Sequence, residues 1–157
     1  MSTTDALCNG ENGSAALSIS GGTAPYDTED ISSLPAGTYT TTVIDSNGCE
    51  ASAEFTISEP DLLVVSVSTT DVICFGENNG TVTAIVSGGT GEITVDWLDL
   101  FLGTVDPNAL TVGYYFVIIT DNNGCQVLGD FTISEPDLLE VSVSTTDPLC
   151  NGENGSA

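Results

Sequence analysis

Two residue types carry most of the chemistry available to this chain: five cysteines and 23 carboxylates. Lys, Arg and His are wholly absent from its 157 residues. Without His there is no Ser-His or Cys-His nucleophile pair and no imidazole metal ligand. Without Lys there is no Schiff base and no Lys–Asn isopeptide staple. Carboxylates can still hold a hard cation or form an acid/base pair. No cleft-forming insertion accompanies them, so the chain is expected not to be an enzyme. No cofactor is expected apart from a possible calcium ion.

The calcium candidates are acidic turns. Asp45-Ser46-Asn47-Gly48, Asp121-Asn122-Asn123-Gly124 and Glu77-Asn78-Asn79-Gly80 offer carboxylate and carbonyl oxygens. None has EF-hand spacing. Asx hydrogen bonds and a glycine at positive φ explain the same letters as hairpin turns. The best metal candidate is Glu59 and Asp61 approaching Asp121 between neighbouring repeats.

The formal charge of −23 has its own consequences. Every carboxylate must be solvated, hydrogen-bonded or neutralised from solution. Nucleic acid and anionic membrane surfaces are excluded as partners, because both are bound through Lys and Arg. No apolar run approaches the ~20 residues of a membrane helix, so no membrane insertion is expected in this segment. An apolar content of 40% argues for packed cores rather than disorder. No secretory leader is evident, since polar STTD follows Met1 at once.

The elements that position these groups are repeated. FTISEPDLLVVSVSTTD (Phe55 to Asp71) returns as FTISEPDLLEVSVSTTD (Phe131 to Asp147), and CNGENGSA occurs at Cys8 and again at Cys150. Such self-similarity is the signature of a tandem array. The expected division is 1–58, a first module; 59–61, a Glu-Pro-Asp linker; 62–134, a second module; 135–137, a second linker; and 138–157, the start of a third repeat. Pro60 and Pro136 stiffen the linkers.

Each module reads as β. In LLVVSVS, Leu63, Val65 and Val67 alternate onto one face. Val64 in that copy becomes Glu140 in the next, an outward position. Further strands are expected at Ser14 to Ser20, Thr81 to Ser87, Glu92 to Trp97, Tyr39 to Asp45, Tyr115 to Asp121, Glu50 to Ser58 and Gln126 to Ser134. Short strands at this spacing predict tandem β-sandwiches of the immunoglobulin or fibronectin type. LPAGTY and LTVGYY place Tyr39 and Tyr115 where a tyrosine corner ties down the preceding loop. Module two carries nine extra residues after SGGT, including Trp97. They predict a hairpin, Glu92 to Trp97 and back over Leu100 to Val105, that module one lacks. Module one should then be the less stable.

The ordered series C-x-G, SGGT-x-P-Y, L-x-x-G-x-Y, V-x-D-x-N-G-C and ISEP resembles the SprB repeat. Module one shows SGGTAPY and LPAGTYTTTVIDSNGC; module two keeps SGGT, Trp97, Tyr115 and DNNGC but has GEI for APY. That repeat builds large, mobile surface adhesins of gliding Bacteroidetes. The resemblance implies export by the type IX system, a cell-surface, extracellular location, and adhesion to surfaces or polysaccharide during gliding.

For an exported chain, ordered cysteines read as disulfides. Pairing within modules would join Cys8 to Cys49 and Cys74 to Cys125. In a plain sandwich, however, the first cysteine lies at the bottom and the second at the top. A seven-residue strand spans ~23 Å, whereas bridged Cα atoms lie about 5.5 Å apart. Stacking would instead bring Cys8 to Cys125 across the junction of the two modules. Both schemes stay open, and both leave Cys150 unpaired. The expected function is a structural segment of a filamentous adhesin, whose partners are neighbouring repeats. The alternative is a polysaccharide-binding unit, with Phe101, Phe116 and Tyr114 as sugar platforms unless they pack on the extra hairpin.

Overall fold

The computed structural model describes residues 1–147, 150–152 and 154. The second copy of CNGENGSA therefore falls partly outside the described residues, at Glu153 and Gly155 to Ala157. Ten strands and no helix are present among the described residues: β1 Ser2–Thr4, β2 Ser14–Ala16, β3 Asp27–Thr28, β4 Gly37–Ile44, β5 Glu50–Ile57, β6 Val64–Thr70, β7 Thr81–Ser87, β8 Thr94–Asp99, β9 Gly113–Thr120 and β10 Gln126–Ile133.

They form the same pattern twice. A two-stranded sheet, β1-β2, faces a three-stranded sheet, β3-β4-β5. A second pair, β6-β7, faces β8-β9-β10. All pairings are antiparallel, and each five-strand unit is a small sandwich of the immunoglobulin-like kind. The registers correspond: Ser2 lies opposite Ala16 as Ser68 lies opposite Thr83.

The alternation read from LLVVSVS places Leu63, Val65 and Val67 against Val117 and Ile119 of β9. A second cluster joins Val72, Val82, Leu110, Tyr115, Phe131 and Ile133. Trp97 packs against both clusters and meets the Phe131 ring edge-on at 5.8 Å. The first unit has thinner substitutes. By register, Ala6 stands for Val72, Ala15 for Val82, Thr41 for Val117 and Ala51 for Val127. Buried side chains of its own are few: Ala6, Thr41, Phe55 and Ile57.

Three sequence expectations are revised. The strand expected over Ser14 to Ser20 stops at Ala16, which pairs with Ser2, the first residue of β1. The hairpin of the second unit returns through a tight turn at Asp99 to Gly103 and a single bridge, Leu98 to Thr104, so Leu100 to Val105 is not a strand. The first unit keeps only a stub of that hairpin, the two-residue β3, at the matching register. The glycines of GENG and GENNG, Gly13 and Gly80, are not positive-φ turn residues. A Cβ on Gly13 would lie 2.6 Å from Ile57 Cγ2, and one on Gly80 2.8 Å from Ile133 Cγ2. These glycines let two backbones approach, and each bridges a leucine, Leu34 or Leu110. The positive φ belongs two residues after each first cysteine, at Gly10 and Gly76.

Candidate functional site

The residues with chemistry converge where the two units meet. Cys8 is bonded to Cys125, 117 positions away in sequence, with Cα atoms 5.6 Å apart. Cys8 sits in the loop between β1 and β2, at the lower end of the first unit. Cys125 ends the Asp121 turn, at the upper end of the second. The within-module scheme, Cys8 with Cys49 and Cys74 with Cys125, is therefore not the one formed. Cys49, Cys74 and Cys150 are free and exposed. The reason is the one strand direction supplies: the two cysteines of one sandwich lie at opposite ends.

The linker between the units is clasped from both sides. Toward the first unit, Gly10 N donates to Glu59 Oε2 at 2.6 Å and Asn9 Nδ2 donates to the Pro60 carbonyl at 3.0 Å. Ser58 N donates to Asp5 Oδ1, while Ala6 N donates to the Ser58 carbonyl. Toward the second unit, Gly89 N donates to the Asp61 carbonyl at 2.9 Å. Gly88 passes so close to the Leu62 carbonyl that no Cβ would fit. Leu63 is then the first residue of the second core. Across the junction, Asn123 Nδ2 donates to the Leu7 carbonyl at 2.9 Å.

The lower clasp recurs in the second unit. Gly76 N donates to Glu135 Oε2 at 2.7 Å, Ser134 N to Asp71 Oδ1, and Val72 N to the Ser134 carbonyl. The repeated letters STTD, C-x-G and SEP thus have one job each in a common latch. Sequence reading recognised the repetition and not the partners. Only the two-fold recurrence of Glu-Pro after a Ser, always with C-x-G upstream, hinted at them.

The acidic turns are spent on backbone amides. Asp121 is 5% exposed; its Oδ1 accepts from Asn123 N and Cys125 N, and its Oδ2 from Thr90 N. Asp45 repeats this with Asn47, Cys49 and Thr23. For Asp121, burial raises the pKa, yet the amide bonds from Cys125, Thr90, Asn123 and Gly124 outweigh it and hold the carboxyl below its ordinary value. Asp45 is likewise lowered, chiefly by the Cys49 amide. Gly48 and Gly124, at positive φ, complete both turns as turn chemistry requires.

These bonds engage oxygens of two of the three calcium candidates. Asp121 and Glu59 already accept from amides, and among the described residues no group of three or more acidic or cysteine side chains is placed to hold a metal ion. Glu59, Asp61 and Asp121 border the same junction without forming a ligand set. In the Glu77 turn, Asn79 Oδ1 accepts from Ile73 N and its Nδ2 donates to Glu77 Oε2.

Tyr39 and Tyr115 occupy corner positions. Tyr39 donates its hydroxyl to the Pro35 carbonyl at 2.9 Å, and Tyr115 to the Thr111 carbonyl at 3.0 Å. Each ring stacks on the phenylalanine opposite it, Phe55 at 5.6 Å and Phe131 at 5.5 Å.

The aromatic candidates separate. Phe101 does not pack on the hairpin; it projects from its turn, 91% exposed, where Asp99 Oδ1 accepts from Phe101 N and Gly103 N. Tyr114 and Phe116 meet edge-on at 5.1 Å on the outer face of β9. Tyr114 donates to Asp130 Oδ2 at 2.7 Å, a bond that raises the phenol pKa. At the matching positions the first unit has Thr38 and Thr40.

No curated protein matches the chain. A family model described as the SprB repeat matches residues 1–27 and 66–100. Each matched stretch covers the same part of a unit: the first strand, the cysteine loop, the second strand and the SGGT turn, with the following strand included in the second match. Over these two stretches the chain is similar to the SprB repeat.

Proposed function

We propose that this chain is a load-bearing segment of a large, filamentous cell-surface adhesin, serving gliding motility and surface attachment rather than catalysis. Its two units are read as modules in series, and its partners as the neighbouring repeats. An exported, extracellular setting is consistent with the disulfide.

The observation that carries this reading is the strap across the junction. Tension applied at the two ends of the chain reaches Cys8, crosses the sulfur–sulfur bond and leaves from Cys125. Residues 9–124, which include most of both sandwiches, lie outside that path. A small sandwich with a thin core resists unfolding poorly, so a covalent bypass suits a stalk. The net charge of −23 acts in the same direction, since like charges extend the array within a screening length of about 8 Å.

Single-molecule stretching tests the reading. Opening the loop of 117 residues releases about 400 Å of contour at ~3.4 Å per residue. The oxidised chain should lack that extension and the Cys8→Ser variant should gain it. Equal extension in both would remove the strap, and the stalk reading with it.

The polysaccharide alternative has one supporting observation, the exposed Tyr114–Phe116 pair beside Asp130. With threonines at these positions in the first unit, such a site belongs to the second unit alone. A glycan array on which Tyr114→Ala abolishes binding would establish it.

A further inference from the structure

The cysteine loops and the acidic turns share one reactive pair, Asn followed by Gly. It occurs five times within residues 1–147: Asn9-Gly10, Asn12-Gly13, Asn47-Gly48, Asn79-Gly80 and Asn123-Gly124. In such a pair the glycine nitrogen can attack the side-chain carbonyl carbon of the asparagine, unhindered because glycine has no Cβ. The attack requires that amide to give up its proton, so whatever holds the amide controls the reaction.

All five glycine amides are held. Gly13 N donates to the Leu34 carbonyl, Gly80 N to Leu110, Gly48 N to Asp45 and Gly124 N to Asp121. Those four acceptors are main-chain carbonyls, placed by bridges and turns of the fold itself. Gly10 differs: its acceptor is a side chain, Glu59 Oε2, at 2.6 Å. While this latch is closed, the carboxylate opposes a second negative charge on the nitrogen. When the linker lifts away, that restraint is gone. Asn9 is itself part of the latch, because its Nδ2 donates to the Pro60 carbonyl at 3.0 Å. The second unit has Phe75 in the place of Asn9, yet Gly76 N is held by Glu135 in the same way. The latch therefore does not require asparagine at this position.

We propose that Asn9 is a self-modifying site, deamidated when the Glu59–Gly10 latch opens, and that the product keeps the latch from closing. Gly10 N loses its proton and bonds to Asn9 Cγ. The Cγ–Nδ2 bond breaks, and Nδ2 leaves with a proton as ammonia. The resulting succinimide takes up one water. Opening at Cγ gives aspartate, and opening at the main-chain carbonyl gives isoaspartate. In sum, a side-chain amide and water become a carboxylate and ammonium. The product has lost the donor that met Pro60 and carries an acceptor-only carboxylate beside Glu59. Repulsion between the two carboxylates, and between the new one and the Pro60 carbonyl, holds the loop off the linker. In the isoaspartate form the main chain gains a methylene group ahead of Gly10, which displaces its amide from Glu59. Cys8 stays bonded to Cys125, so the joint is loosened without being parted. The inference needs only the latch and stands whether or not the chain bears load.

The test uses the intact, oxidised chain in mildly alkaline buffer. Peptide mapping after acid-directed proteolysis follows each Asn-Gly pair and quantifies isoaspartate. Glu59→Ala should raise the rate at Asn9 about tenfold, the size expected when a charge-assisted hydrogen bond is lost. Asn47 and Asn123 should keep the rates of the parent chain, which also shows that the variant is folded. Asn9→Asp carries the product from the start. Its Gly10 and Ser58 amides should exchange faster than those of the parent, with Gly76 unchanged. An equal rate at Asn9 in Glu59→Ala and the parent would overturn the proposal, as would a rise shared by all five pairs. A Gly10 amide as well protected in Asn9→Asp as in the parent would overturn it too.

Discussion

The Glu59 carboxylate accepts a hydrogen bond from the Gly10 amide at 2.6 Å, across 49 residues of sequence. Glu135 repeats it with Gly76 at 2.7 Å. Gly10 sits at positive φ, so the loop turns its amide outward toward the linker. This bond fixes the linker on the first unit before Asp61 engages the second. Glu59→Ala should free the Cys8 loop and lower the stability of the first unit by about 1 kcal/mol, the usual net value of such a bond. Faster amide exchange at Ala6, Gly10 and Ser58, with no change at Val72 or Gly76, is the measurement that checks it.

The two corner tyrosines differ in what else they touch. Tyr115 is buried, and Thr111 Oγ1 lies 3.1 Å from its hydroxyl in addition to the carbonyl bond. The Tyr39 hydroxyl makes only the bond to Pro35. Tyr115→Phe should therefore destabilise the second unit by about 1 kcal/mol, since a part-buried hydrogen bond to the Thr111 carbonyl is lost. Tyr39→Phe should cost the first unit less. Denaturant unfolding followed by Trp97 fluorescence reports the second unit, and amide exchange reports the first.

Local patterns in the sequence foretold these corners, because Leu-x-x-Gly-x-Tyr carries donor, ring and turn within six residues. The inward set Leu63, Val65 and Val67 was legible for the same reason, with Glu140 marking the outward side. The Cys8–Cys125 bond was one of two open schemes, since strand direction constrains ends but not which ends meet. What could not be read was non-local. Nothing near Glu59 announces Gly10, and nothing near Gly13 announces the Ile57 methyl that leaves no room for a Cβ. The partners of the acidic turns were hidden in the same way. An aspartate in a turn looks identical in sequence whether its oxygens face solvent or three amides.

Thr41 is 1% exposed and its hydroxyl has no hydrogen-bond partner, while Val117 occupies the same place in the second unit. A buried, unpaired hydroxyl costs roughly 1–3 kcal/mol in protein interiors. Thr41→Val keeps the shape and replaces that hydroxyl with a methyl group. The variant should raise the stability of the first unit by about 1 kcal/mol. Thermal unfolding of the variant should show a higher first transition, with the second unit unaffected. A lower transition would mean that Thr41 has a partner the fold does not reveal.

Acid should act on the Asp turns in a defined direction. Asp45 and Asp121 both have pKa values below the ordinary range, held there by backbone amides. A group whose folded pKa is depressed contributes stability above its unfolded pKa, ~3.9 for aspartate, and loses it as pH falls through the folded value. The loss should therefore begin near pH 4 and deepen below it. Protonation relieves repulsion among the other carboxylates over the same range, so the turn-specific effect has to be isolated by substitution. Asp121→Asn keeps one acceptor oxygen but removes the titrating group. It should lower the stability of the second unit at neutral pH and flatten its decline below pH 4, relative to the parent chain. Because Cys125 N is one of the amides held by Asp121, the variant should also loosen the turn that presents Cys125 to Cys8. Faster reduction of the disulfide by a fixed concentration of thiol is the accompanying readout. An unchanged acid limb would show that the amide bonds to Asp121 do not set the acid response.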